Sequence, residues 1–271
     1  MEFILILLLA LLFAAFGTIV GFGGGIFMIP ILVIGFNLPI NVAVGSVILA
    51  LFPGSLVSSY FNHKRKKIDY RAGITLEIPT VIGTILGAYL TSVLALNVLE
   101  IVFAVFVTIV GFSMFRKTST DTSEDNRLGI FKKLNKLNPA ITRTTKDIQY
   151  RMSYLLTGTF GSLAGIISGL FGIGGGFLKT PIMVNVFNIP PSVAAATAIF
   201  MIVFTSLTGS ISHFYLGHLD FYYSIPIVIG FILGAFLGNH LNLKLSEKTL
   251  KKLIGIGLFT AGFSILLNII L

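Results

Sequence analysis

Long apolar runs with almost no charge leave this chain few folds to adopt. Phe3–Val20, Ala72–Leu94, Val98–Phe115, Ser153–Phe171 and Leu250–Leu271 each reach the roughly 18–20 residues that a helix needs to cross the hydrocarbon core. Hydrophobic residues are 55% of the 271 positions and charged ones 11%, too little charge to cover a soluble domain of this size. A membrane β-barrel would show strands of about 10 residues with alternating polarity, and no such pattern occurs. The expected fold is all-α and polytopic. The first run is preceded by Glu2 and no cation, unlike a signal peptide, and is read as a retained span.

The chain also contains its own copy. Gly21–Pro39 (GFGGGIFMIPILVIGFNLP) and Gly172–Pro190 (GIGGGFLKTPIMVNVFNIP) share ten of nineteen positions without a gap. The match continues more weakly, pairing Asp69 with Asp220, Gly87-Ala88 with Gly234-Ala235 after a four-residue deletion, and Gly111-Phe112-Ser113 with Gly262-Phe263-Ser264. The expected units are a first membrane repeat over 1–115, a basic loop over 116–151 and a second repeat over 152–271. Each repeat offers about five apolar segments, in the first near 3–20, 24–36, 39–60, 72–94 and 98–115, which gives 8–10 transmembrane segments. The second segment of each repeat, 24–36 or 175–187, is short. It either crosses at a thin place or re-enters as a hairpin with the first.

The cations orient the copies. Of the 19 Lys and Arg residues, all but Lys179 fall in Lys64–Arg71, Arg116–Arg151 and Lys244–Lys252. Such clusters between apolar spans are the positive-inside signal; they set orientation and grip anionic lipid, so the net charge of +9 does not point to nucleic acid. The Lys64–Arg71 loop is cationic while its counterpart, His213–Asp220, has no Lys or Arg. Conversely, Ser92–Asn97 is uncharged while its counterpart after His240 carries four lysines. Equivalent loops on opposite sides require an inverted-topology pair, an architecture of secondary transporters. A multi-pass protein of the cell membrane follows, with both termini outside and the central loop cytoplasmic. In that loop Leu128, Ile130, Phe131, Leu134 and Leu137 interleave with cations, either as a basic amphipathic helix on the inner leaflet or as a solvated linker.

Chemistry concentrates at the glycine-rich segments. Gly23, Gly24 and Gly25, and Gly174, Gly175 and Gly176, interrupt helix at equivalent places, each glycine disfavouring helix by about 1 kcal/mol relative to Ala. Close helix packing and a simple turn are two explanations. A third is a broken helix whose free N–H groups face a bound anion, since unwound backbone in a membrane must be buried in protein or line a cavity. Lys179 lies three residues past Gly176, where the first repeat has Met28. It either contacts an anion or snorkels to an interface. Glu77 is the acidic candidate: a partner for Lys179, a carrier of a coupling proton, or a side chain snorkelling towards Arg71. Ser46 and Thr197, equivalent under the repeat, offer neutral donors to an oxyanion or simple interhelical bonds. No metal or cofactor site is expected, because Cys is absent and His63, His213, His218 and His240 fall near span ends without ligand spacing.

At these residues the chain resembles the TauE/SafE family of sulfite and organosulfonate exporters. The resemblance rests on the doubled Gly-x-Gly-Gly-Gly-x-x-x-x-Pro pattern at Gly21–Pro30 and Gly172–Pro181 and on the Asn-x-Pro that follows at 37–39 and 188–190. It implies a plasma-membrane permease for small anions such as sulfite, sulfonates or related carboxylates. The expected function is secondary transport, as an exporter, of such an anion by alternating access at the paired breaks, with a proton or sodium ion as coupling partner. An anion channel or a permease for another small solute is the alternative. No nucleotide-binding motif is present. An intramembrane enzyme is not expected: Gly165-Ile-Ile-Ser168-Gly169 lacks the rhomboid spacing, and no span clusters Glu with His.

Overall fold

In the computed structural model the described residues are 2–115, 134–144, 149–241 and most positions from 255 to 267. In chain order, α1 (Glu2–Val20) leads through the first glycine break to α2 (Gly25–Pro30) and a π-helical turn (Ile31–Gly35). Then come α3 (Ile40–Lys64), α4 (Tyr70–Val93) and α5 (Leu96–Phe115), followed by strands β1 (Ala140–Thr144) and β2 (Gln149–Ser153). The second glycine break separates α6 (Tyr154–Phe171) from α7 (Gly176–Asn185), and α8 (Pro191–Tyr215) and α9 (Phe221–His240) follow. Among the described residues, α1, α3, α4, α6, α8 and α9 are long and apolar enough to cross a membrane, and the chain is an all-α polytopic membrane protein.

The helices pack by small residues. α1 lies along α9, where positions for β-carbons on Gly230, Gly234 and Gly238 are taken by the α1 backbone and by Ala10 and Ala14. α6 lies along α4 in the same way, with Gly83 against the Ser162 carbonyl and Gly165 against the Thr80 carbonyl. Lipid tails are as apolar as leucine, so close backbone contact of this kind drives association where the hydrophobic effect does not. The two pairs are equivalent under the sequence repeat: each first helix packs on the fourth helix of the other copy. α3 and α8 pack against each other. Ile74, Ile78, Ile82 and Leu86 on α4 face outwards, as do Phe221, Ile225, Ile232 and Phe236 on α9.

The short second segment folds back on the first. Gly24 is wedged against the Phe13 carbonyl and Ala14, and the Phe27 ring lies 5.8 Å from Phe13 and 5.7 Å from Phe16.

The central basic loop differs from expectation. Its described part forms an antiparallel hairpin pairing Ala140 with Ser153 and Thr144 with Gln149. The β-branched and aromatic residues of this stretch favour strand, and Tyr150 and Met152 turn inwards. Asn135 fastens it, its amide donating to the Arg151 carbonyl at 2.6 Å and its carbonyl oxygen accepting from Ser153 N–H at 2.8 Å. Arg143 pairs with Asp69 at 2.6 Å, tying the hairpin to the N-cap of α4. Residues 127–133, the centre of the amphipathic helix considered above, lie outside the described residues, as do the lysines after His240.

Candidate functional site

Both glycine segments adopt one backbone. Gly21, Gly23 and Gly24 have φ of 90°, 81° and 88°, and Gly172, Gly174 and Gly175 have 63°, 70° and 71°, a region that costs other residues about 1–2 kcal/mol each. The Asn-x-Pro positions match as well, with Asn37 at φ 50° and Asn188 at 58°. Neither α2 nor α7 has a side-chain cap. The breaks meet at the centre: a β-carbon on Gly25 would stand 3.4 Å from the Gly172 carbonyl oxygen, and one on Gly176 would stand 3.2 Å from that of Gly21. Leu51 of α3 and its repeat equivalent Ile202 of α8 close over them. A β-carbon on Gly174 would lie 3.0 Å from Ile202 and 3.1 Å from Leu51.

Lys179, in the first turn of α7, is fully buried. Its ammonium donates to Glu77 Oε2 of α4 at 2.8 Å and to Thr205 Oγ1 of α8 at 2.5 Å. The Thr205 hydroxyl donates in turn to Glu77 Oε1. Snorkelling is excluded for both charges, and Glu77 holds Lys179 rather than leaning towards Arg71. Such a pair, taken wholly out of water, holds only when its hydrogen bonds are completed, as Thr205 completes them here. Beside it Ser168 is buried with its hydroxyl unpartnered, its β-carbon 3.4 Å from the Cβ position of Gly175.

Ser46 and Thr197 are both buried, and their hydroxyls bond to residues outside the breaks. Thr197 Oγ1 accepts the Asp69 N–H at 2.9 Å, and the Ser46 hydroxyl bonds that of Ser224 at 3.0 Å. Each holds the start of the other copy's fourth helix.

At the end of the molecule bearing Arg65 a polar cavity of about 290 Å³ opens, lined by Thr18, Gly21, Asn62, Arg65, Lys67, Ser192 and Asn239 among others. Arg65 Nη2 donates to the Asn239 carbonyl at 2.7 Å, Asn239 Nδ2 donates to Ser58 at 3.2 Å, and Ser58 lies 3.3 Å from the Thr18 hydroxyl. Thr18 also borders a smaller void of about 10 Å³ that reaches Gly23, Ser55 and Ser58, room for about one water. No carboxylate pairs with Arg65 or Lys67 among the described residues. In the sequence Arg65 and Lys67 read as orientation signals, and the mark of Asn62 and Asn239 as candidates is an amide near the end of an apolar span.

The repeat-equivalent space at the opposite end is filled. His213 stands where the first copy has Asn62, and His218 where it has Lys67. His213 Nε2 meets the Gly169 carbonyl at 2.9 Å, His213 and His218 contact through Nδ1 atoms 3.0 Å apart, and the His218 backbone abuts Gly45. These histidines were not singled out by spacing because their contact partners are each other. No group of three metal-ligating side chains occurs among the described residues.

Comparison with known proteins adds a second line. The model of the family described as sulfite exporter TauE/SafE matches residues 6–265. The probable membrane transporter protein YunE of Bacillus subtilis is 30% identical over 276 residues, covering 97% of this chain and 96% of that one. The probable membrane transporter protein YdhB of the same organism is 25% identical, covering 96% of this chain and all of that one. Sulfite exporter TauE/SafE family protein 3 of Arabidopsis thaliana is 35% identical over 82 residues, 30% of this chain and 17% of that one. No solved structure matches.

Proposed function

The chain belongs to the sulfite exporter TauE/SafE family, and from that premise we propose that it is a secondary transporter exporting a small anion of the sulfite, organosulfonate or small-carboxylate class by alternating access. The observation that carries this reading is the one-sided cavity. At the Arg65 end a basic, polar space leads past Thr18 and Ser58 to the first glycine break; at the other end the equivalent space holds His213 and His218. A structure built of two copies, open at one end and filled at the other, has an alternative of similar energy in which the roles are exchanged.

Under the positive-inside rule the cationic Lys64–Arg71 loop supports a cytoplasmic open end, which suits export. Arg65 and Lys67 attract the anion, and Asn62 and Asn239 supply neutral hydrogen-bond donors. The breaks at Gly23–Gly25 and Gly174–Gly176 act as hinges under Leu51 and Ile202, and Lys179 supplies the buried positive charge beyond them. Ser46 and Thr197 serve as anchors between the copies in this account.

Proteoliposomes holding the purified chain and loaded with sulfite test the proposal. External sulfite should drive saturable exchange of labelled sulfite, stronger than its net efflux. Non-saturable flux indifferent to sulfite on the far side would make the chain a channel, and no flux of sulfite, sulfonates or small carboxylates would overturn the anion reading. Orientation has its own measurement: Lys66→Cys and Tyr215→Cys, both exposed, should react with an impermeant thiol reagent from opposite faces.

A further inference from the structure

We propose that Glu77 takes up one proton for each anion bound at Lys179, so that the chain moves the anion together with a proton. The inference rests on the transport reading above and concerns the buried pair alone.

Lys179 and Glu77 are buried together and sum to zero charge. An anion that meets the Lys179 ammonium while Glu77 stays ionised would leave the site with a net negative charge away from water, a costly arrangement. Neutrality returns when the Glu77 carboxylate accepts a proton: the ammonium then faces the anion, and the neutral carboxyl no longer competes for it. Release of the anion reverses the step. Glu77 gives the proton up, and its carboxylate recaptures Lys179.

The surroundings provide for both states. The Thr205 hydroxyl, which donates to Glu77 Oε1, also lies 3.2 Å from the Met201 carbonyl. It can turn its hydrogen there and accept from a protonated Glu77, which makes Thr205 a positioning residue. For the anion, the uncapped first turn of α7 and the unpartnered Ser168 hydroxyl stand at the same break as the Lys179 side chain, whose Cε lies 3.1 Å from the Cβ position of Gly175. Lone N–H and O–H donors around one ammonium suit a small oxyanion.

Other ionisable groups on the helices around Glu77 are few. α4 itself carries Tyr70, Arg71 and Tyr89, with Asp69 as its cap; α6 has Tyr154, and α8 has His213 and Tyr215. Lys179 is the ionisable side chain bonded to the Glu77 carboxylate. Under the repeat the three equivalent positions are Met28 and Gly54 of the first copy and Ser224 of the second, all uncharged, so the duplication does not repeat this proton site.

Titration calorimetry of the purified chain with methanesulfonate, whose charge does not change with pH, tests this. Repeating it in two buffers of different ionisation heat gives the protons exchanged. The expected result is uptake of one proton per anion and an affinity that falls about tenfold per unit rise in pH. Glu77→Gln, which keeps a hydrogen bond to Lys179, should bind with no proton uptake and no pH dependence. Binding by the unaltered chain without proton uptake would overturn the coupling, as would the absence of methanesulfonate binding at any pH, while the sulfite exchange measured above would stand. Proton uptake persisting in Glu77→Gln would also overturn it.

Discussion

His213 and His218 face each other through Nδ1 atoms 3.0 Å apart, and His213 directs its other ring nitrogen at the Gly169 carbonyl, 2.9 Å away. The carbonyl only accepts, so Nε2 of His213 carries the hydrogen and its Nδ1 accepts from His218. A further proton on His213 would set two N–H groups against each other.

Acid should therefore loosen the His213 end. His218, in the turn beyond α8, is held below the ordinary imidazole range by burial, which favours its neutral form. A depressed histidine contributes closure that is complete above the ordinary pKa of about 6.5 and is lost as pH falls through the lowered value. Asn41→Cys sits at the repeat equivalent of Ser192, which lines the cavity at the Arg65 end. Its labelling rate, divided by that of the exposed Ser92→Cys, should rise several-fold between pH 7.5 and pH 5 (roughly the span that histidine titration covers). A constant ratio would remove the pair from the closing mechanism.

Backbone strain at the breaks gives a stability difference. Gly174→Ala puts a β-carbon at φ 70° and 3.0 Å from Ile202, so a loss of about 1–2 kcal/mol is expected. Gly158→Ala, within α6 and facing open space, should be neutral or stabilising by up to about 1 kcal/mol. Thermal unfolding in detergent distinguishes them, and equal melting temperatures would deny the break its conformational role.

Copying the first repeat with Lys179→Met strands the Glu77 carboxylate without its cation. A loss of about 3–5 kcal/mol is expected, seen as poor yield and a lowered melting temperature. Lys179→Met with Glu77→Gln should recover the fold and not the transport. Recovery of both would take the anion away from Lys179.

Arg65→Gln removes the charge and the fork at the cavity mouth. Charged hydrogen bonds are worth about 1.5–3 kcal/mol, so half-saturation for sulfite on the Arg65 side should rise tenfold or more. Maximal exchange should change little, and an unaltered half-saturation would exclude Arg65 from binding.

The helices were legible because lipid imposes length and composition: apolar helices expected near 3–20, 72–94 and 98–115 appear as Glu2–Val20, Tyr70–Val93 and Leu96–Phe115. Equivalence of the breaks was legible in glycine, since few other residues take those dihedrals. The Glu77–Lys179 contact was one of several pairings open in the sequence, because 102 positions separate the two residues and periodicity carries no distance. The roles of Ser46 and Thr197 were hidden for the same reason: a hydroxyl in a span reads alike whether it anchors a helix cap or faces a solute. Ala140–Thr144 and Gln149–Ser153 departed from the helical pattern because their pairing is local and their side chains are β-prone.

The exchange of partners between copies has a consequence for biosynthesis. α1 leaves the ribosome about 200 residues before α9, the helix against which its glycine and alanine contacts are made. At about 5–20 residues per second that is an interval of roughly 10–40 s. During it the small-residue face of α1 has no native surface to meet, and α4 likewise waits for α6. The nascent first half thus enters the bilayer with its closest-packing faces still without their native partners, and the fold is completed only when the second half has been made.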